Sequence, residues 1–122
     1  MQRLWNTVKT FDQDQFTVEL AWCYEDLPLS YVFETEEDIA LHQLRCEDYI
    51  DTHFVARVRV LYYDKVLGED CLGSCYAYGC SPEVSFNDGL DGYLPQMIDA
   101  AMDEARTEAV CMLDRLKADF LQ

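Results

Sequence analysis

Apolar and polar residues alternate through QFTVELAWCY, residues 15–24. Phe16, Val18, Leu20, Trp22 and Tyr24 fall on one side, and Thr17, Glu19, Ala21 and Cys23 on the other. A period of two predicts a half-buried strand. Residues Leu4 to Phe11 are a candidate partner for it, and Asp26-Leu27-Pro28 ends it, because proline has no N–H for a ladder. The strongest strand signal is THFVARVRVLYY, residues 52–63. It is rich in β-branched and aromatic side chains, with Phe54, Ala56, Val58, Val60 and Tyr62 alternating with Val55, Arg57, Arg59, Leu61 and Tyr63. Asp64-Lys65-Val66-Leu67-Gly68 reads as a hairpin loop, and a returning strand covers about Asp70 to Tyr78. On that strand Cys71, Gly73, Cys75 and Ala77 share one side, and a row of small residues predicts close packing there.

Two longer segments carry helical patterns. Thr35-Glu36-Glu37-Asp38 has a hydroxyl at the N-cap, an acid three residues on, and negative charge in the first turn. The helix it opens runs to about Tyr49, with Ile39, Ala40, Leu44 and Cys46 as an uneven apolar side. From about Leu94 to Leu121, Leu94, Ile98, Ala101, Ala105, Met112, Leu116 and Phe120 recur at helical spacing, widened by Met97, Val110, Cys111 and Leu113. Arg115 and Lys117 suit the negative end of that helix. Between the two, Ser81-Pro82-Glu83 opens a single helical turn, and Asn87-Asp88-Gly89 and Asp91-Gly92 are turn chemistry. The resulting order is β-α-β-β-α. It predicts an α+β fold: one domain over residues 1–122, with an antiparallel sheet of three or more strands packed against a long C-terminal helix.

Charge changes this picture from an ordinary small domain to an unusual one. Twenty-four acids oppose nine bases, for a net charge of -15 over 122 residues. Self-repulsion of that size is common in disordered tails. Here 8 Tyr, 6 Phe and 2 Trp and a half-hydrophobic composition predict a folded domain instead. Residues 1–51 hold 12 acids and 3 bases, and the remainder 12 acids and 6 bases, so no acidic tail is appended to a neutral core. A basic stripe is absent, which argues against direct nucleic-acid binding and against docking on anionic lipid. No run of 18 apolar residues predicts a membrane span, and MQRLWNTVKTFDQD lacks the apolar stretch of a secretory signal. The expectation is a cytoplasmic protein whose partner is basic.

Candidate chemistry is sparse. Cys71, Cys75 and Cys80 cluster in sequence, but their spacing is not the paired C-x2-C of a zinc site. Four residues of strand would hold Cys71 and Cys75 roughly 13 Å apart on one side. They read as buried small hydrophobes. His42 and His53 are the two available imidazole bases, and neither sits in a nucleophile motif. There is no P-loop, Rossmann glycine pattern, G-x-S-x-G or H-E-x-x-H. The sequence therefore predicts no enzyme, no cofactor and no metal. The binding candidates are the acids themselves: Glu34, Glu36, Glu37 and Asp38; Glu47, Asp48 and Asp51; Glu69 and Asp70; and Asp99, Asp103 and Glu104. Asp88 and Asp91 form a further cluster, and Tyr24, Tyr31, Tyr49, Tyr63, Tyr76, Tyr78 and Tyr93 are candidate anchors beside them.

In size, acidity and lack of catalytic motif, the chain resembles the small acidic inhibitors that phages and plasmids direct against bacterial restriction or CRISPR systems. HFVARVRV, CLGSCYAYG and DGLDGYLPQMIDAAMDEA also resemble small bacterial and phage proteins without an assigned activity. The first resemblance implies a non-enzymatic DNA-mimic type of inhibitor that sits on the basic, nucleic-acid-binding surface of a defence complex and blocks access. A second reading is a cytosolic adaptor that binds through aromatic side chains or pairs with itself through the C-terminal helix, its acids serving solubility.

Overall fold

Four antiparallel strands lie side by side in chain order: β1 (Asn6–Gln13), β2 (Phe16–Tyr24), β3 (Thr52–Tyr62) and β4 (Lys65–Ala77). They are seen in a computed structural model that describes residues 4–121. Helix α1 (Glu36–Glu47) interrupts the sheet between β2 and β3, and α2 (Pro82–Asn87) and α3 (Tyr93–Phe120) follow β4. Short 3-10 turns occupy Leu29–Tyr31 and Leu90–Gly92. The fold is α+β, and its order is β-β-α-β-β-α, one strand more than the alternation alone predicts. β1 is poorly legible because it does not alternate strictly. A bulge shifts its register between Thr7 and Lys9, so that Val8 and Phe11, three residues apart, both pack against the core.

That core lies between one side of the sheet and α3. Val18, Leu20 and Trp22 of β2 stand opposite Val60, Val58 and Ala56 of β3. Leu94, Met97, Ala101, Met102 and Ala105 of α3 close over them. Each fully buried aliphatic side chain of this kind contributes about 1.5–3 kcal/mol, which sets the scale on which this layer holds.

Two features of β4 correct the sequence reading. The hairpin turn is Tyr63-Asp64 alone, with Tyr63 left-handed at φ 53°, and Lys65 to Gly68 already belong to the strand. Gly68 is therefore not a turn residue. It lies where α3 crosses, and a Cβ there would come 2.0 Å from the Ala101 carbonyl oxygen. Further along, the register steps from Leu72 opposite Ala56 to Cys75 opposite Phe54, so that Gly73 and Ser74 together face the single residue Val55. Ser74 takes φ 52°, and its N–H donates to the Glu25 carboxylate at 2.7 Å. This bulge puts Cys71, opposite Arg57, on the outer side of the sheet and Cys75, opposite Phe54, on the inner side. They do not share a side, and the close approach of helix to strand is at Gly68.

The outer side is less polar than the alternation predicts. Ala21, Cys23 and Val55 are buried there. Next to them Arg57 lies over the Trp5 ring, 3.9 Å from its centroid, and donates to Glu19 at 3.2 Å. The guanidinium is thus held between Trp5 and Glu19, and Arg57 is buried instead of projecting into water. Among the described residues no helix is long and apolar enough to cross a membrane.

Candidate partner-binding end

At the end of the sheet where β2 finishes and β3 begins, α1 is the most exposed helix of the fold. It starts as its sequence predicts, with Thr35 Oγ1 accepting the Asp38 N–H at 3.1 Å and three acids in the first turn. No residue of α1 is fully buried. Its less exposed positions are Ile39, His42, Arg45 and Cys46, whereas Ala40 and Leu44, expected on the apolar side, are exposed together with Leu41. Apolar burial is thus a weak anchor for this helix.

A polar clamp on Asp51 takes its place. Arg45 Nε and Nη2 donate to the two carboxylate oxygens at 2.7 and 3.0 Å. The Tyr76 hydroxyl donates to Oδ2 at 2.7 Å and the Gly79 N–H to Oδ1 at 2.7 Å. Asp51 is 3% exposed. The Arg45 bond, outweighing burial and helped by Tyr76 and Gly79, holds its carboxyl at about 2. Burial, with the bonds to Cys46 and Asp51, pushes the Tyr76 hydroxyl up, so it stays a donor. Rings then knit α1 to β4: His42 stacks on Phe33 with centroids 3.8 Å apart, and Tyr76 meets Phe33 edge-on at 5.1 Å. His42 Nδ1 donates to the Asp38 carbonyl at 2.7 Å.

Below α1 a cleft of about 680 Å³ opens between the ends of β2 and β3 and the start of α2. Tyr24, Glu25, Leu27, Tyr49, His53 and Pro82 are among its walls. Burial draws Glu25 upward, but the N–H groups of Ser74, Leu27 and Asp26 together hold its carboxyl below the ordinary range. Burial lowers His53 against the pull of Glu25, so the imidazole is neutral at pH 7. A second groove of about 550 Å³, bordered by Tyr76, Tyr78, Tyr93, Asp88 and Asp91, meets the first at Cys80.

Two of the thiols, Cys71 and Cys75, are poorly suited to nucleophilic work. Burial pushes Cys71 and Cys75 to about 11, with Glu69 adding to the effect at Cys71, so both are protonated at neutral pH. Among the described residues no group of three or more His, Cys, Asp or Glu side chains is placed to hold a metal ion.

The twelve acids singled out in the sequence do not gather on one face. Glu34, Glu36, Glu37, Asp38, Glu47 and Asp48 are exposed around the two ends of α1. Asp51 is withdrawn into the clamp and cannot meet a partner, because its oxygens are already satisfied. Glu69 lies on the outer side of the sheet, 3.6 Å from Arg59. Asp70, opposite Val58, is half-buried and accepts the Cys71 N–H. Asp99, Asp103 and Glu104 are exposed on α3, across the sheet from Glu69. The sheet separates these groups, and α1 keeps six of the twelve. Of the seven tyrosines, Tyr24, Tyr31, Tyr49, Tyr63, Tyr78 and Tyr93 are exposed, while Tyr76 is spent on Asp51.

Compared with known proteins, the chain matches no family model, no curated protein and no solved structure.

Proposed function

We propose that this protein is a non-enzymatic acidic inhibitor. Its α1 end would occupy the basic, nucleic-acid-binding surface of a bacterial defence complex of the CRISPR or restriction kind and block nucleic-acid access. Such a target places it in the cytoplasm of the host bacterium. One observation carries the reading. Residues 21–51 contain nine acids and a single base, Arg45, and that base is committed to Asp51. Among the described residues, the end of the molecule around α1 therefore presents exposed carboxylates with little compensating positive charge, interspersed with Tyr24, Tyr31 and Tyr49. Carboxylates steer a basic groove into register, and exposed aromatic rings supply the desolvated contacts that hold it.

The test is a pull-down from bacterial lysate at low and high salt, with DNA or RNA as competitor and the captured proteins identified by mass spectrometry. The inhibitor reading expects a nucleic-acid-processing complex captured at low salt, released at high salt and displaced by nucleic acid. Capture that ignores both salt and nucleic acid would overturn it. That result would favour an adaptor that binds through the apolar side chains of the same end, a reading supported by the exposure of Leu41 and Leu44 on α1.

A further inference from the structure

Helix α3 is longer than the sheet it covers. Its buried residues end at Ala105, and Arg106 reaches Asp14 in the β1–β2 turn at 3.1 Å, so the helix passes the rim of the sheet there. Ala109 and Met112 still touch the core from its edge. Beyond them the apolar stripe does not stop. Leu116 and Phe120 continue the line of Ala101, Ala105, Ala109 and Met112 at helical spacing, with Leu113 beside it. These three are 50%, 51% and 76% exposed in the order Leu113, Leu116, Phe120. Roughly five helical turns, about 29 Å, thus carry a stripe whose inner half is used and whose outer half has no cover among the described residues.

Charge identifies what fits there. From Arg106 to the C-terminus, Arg106, Arg115 and Lys117 offset Glu108, Asp114 and Asp119, so the whole net charge of -15 resides in residues 1–105. A basic partner is drawn to the other end of the molecule and gains nothing from a neutral helix. Two copies of this chain repel one another through the net charge of residues 1–105, and this segment adds nothing to that repulsion. An antiparallel arrangement also keeps the two acidic bodies at opposite ends of the paired helices, whereas a parallel one would set them side by side.

We infer that residues 109–121 form a self-association surface, on which the same segment of a second copy lies antiparallel and buries Leu113, Leu116 and Phe120 of both. Two helices paired over this length bury less than the 1,200 Å² of a standard interface, the size class of weak and transient contacts, so the dimer is reversible. Its salt response is opposite to that of the proposed inhibitor surface. Added salt screens the repulsion between bodies and leaves the apolar contact intact, tightening the dimer about two- to fivefold between 0.1 and 0.5 M NaCl.

Sedimentation equilibrium of the full chain across the micromolar range, at both salts, tests this directly. The expected result is a monomer–dimer equilibrium that tightens with salt and is weakened at least tenfold in Leu116→Asp and in Phe120→Asp, with circular dichroism unchanged. Small-angle scattering of the dimer should give an elongated particle. A monomer at every concentration overturns the inference. So does a dimer that survives both substitutions, one that dissociates in salt, or a compact side-by-side particle. Loss of partner capture in the lysate experiment leaves these readouts untouched, so the two proposals fail separately.

Discussion

The two ends of the molecule expose apolar side chains in opposite electrostatic settings. Around α1 the exposed rings of Tyr24, Tyr31 and Tyr49 stand among carboxylates whose only nearby base in the chain segment is spent on Asp51. Along the outer half of α3, Leu113, Leu116 and Phe120 stand on a segment whose charges cancel. Exposed hydrophobic surface therefore does not have one meaning in this chain. On the two proposals, binding at the acidic end favours a basic surface and should weaken in salt, whereas binding at the neutral end favours a second copy and should strengthen in salt. Net charge alone, averaged over the chain, hides the distinction.

The most severe way to break the comparison is to unseat α3, which would abolish both ends together. Gly68→Val places side-chain atoms where the Ala101 backbone already stands, and should cost about 3 kcal/mol or more, since backbone on both sides leaves nothing flexible to yield. Urea denaturation measures it, and a wild-type midpoint would refute the close crossing.

Asp51→Ala should separate the ends. It removes four hydrogen bonds, two of them to a cation, and costs about 2–4 kcal/mol. Amide exchange should quicken in α1 while α3 keeps its wild-type protection. Equal loosening of both would mean that α1 is not held by the clamp. The same clamp gives a pH dependence whose sign is set by Asp51. Its folded pKa of about 2 lies below the ordinary 3.8, so the stabilisation is complete above 3.8 and drains away as pH falls through about 2. Acid titration followed by α1 amide exchange should show loosening across that window in the wild type and none specific to it in Asp51→Asn.

Smaller effects sharpen the contrast. The triple change Glu36→Gln, Glu37→Gln and Asp38→Asn keeps shape and removes three charges. It should weaken capture of a basic partner roughly tenfold at low salt, and it should not weaken the self-association of α3, because it lowers the repulsion between the two bodies. A triple variant that binds as tightly as the wild type would remove α1 from the interface. Least of all, Leu116→Asp should alter stability by no more than about 0.5 kcal/mol, because the side chain it replaces is half in water. A thermal midpoint lowered by many degrees would show that Leu116 belongs to the core.

The features legible in the chain are those whose cause is local. β2 and β3 follow from alternation, α1 from its threonine cap and acidic first turn, α2 from Ser81-Pro82, and α3 from a stripe that any helical reading of Leu94 onward reveals. Each depends on residues a few positions apart, where dihedral preference, capping and periodicity act. The candidate site was legible only in its ingredients: six acids at the ends of α1 and the exposed rings of Tyr24, Tyr31 and Tyr49. Tertiary structure decided the rest, because burial and hydrogen bonding draw on partners far along the chain. Asp51 looks like any surface acid until Tyr76 and Gly79, more than twenty residues on, are brought to its oxygens. Gly68 looks like a turn until Ala101 crosses it, and the bulge fixed by Glu25 moves Cys71 and Cys75 to opposite sides of one strand. Where the sheet ends beneath α3 decides which half of one continuous stripe is core and which half is surface. Periodicity is the same on both sides of that boundary, so only the packing could draw it.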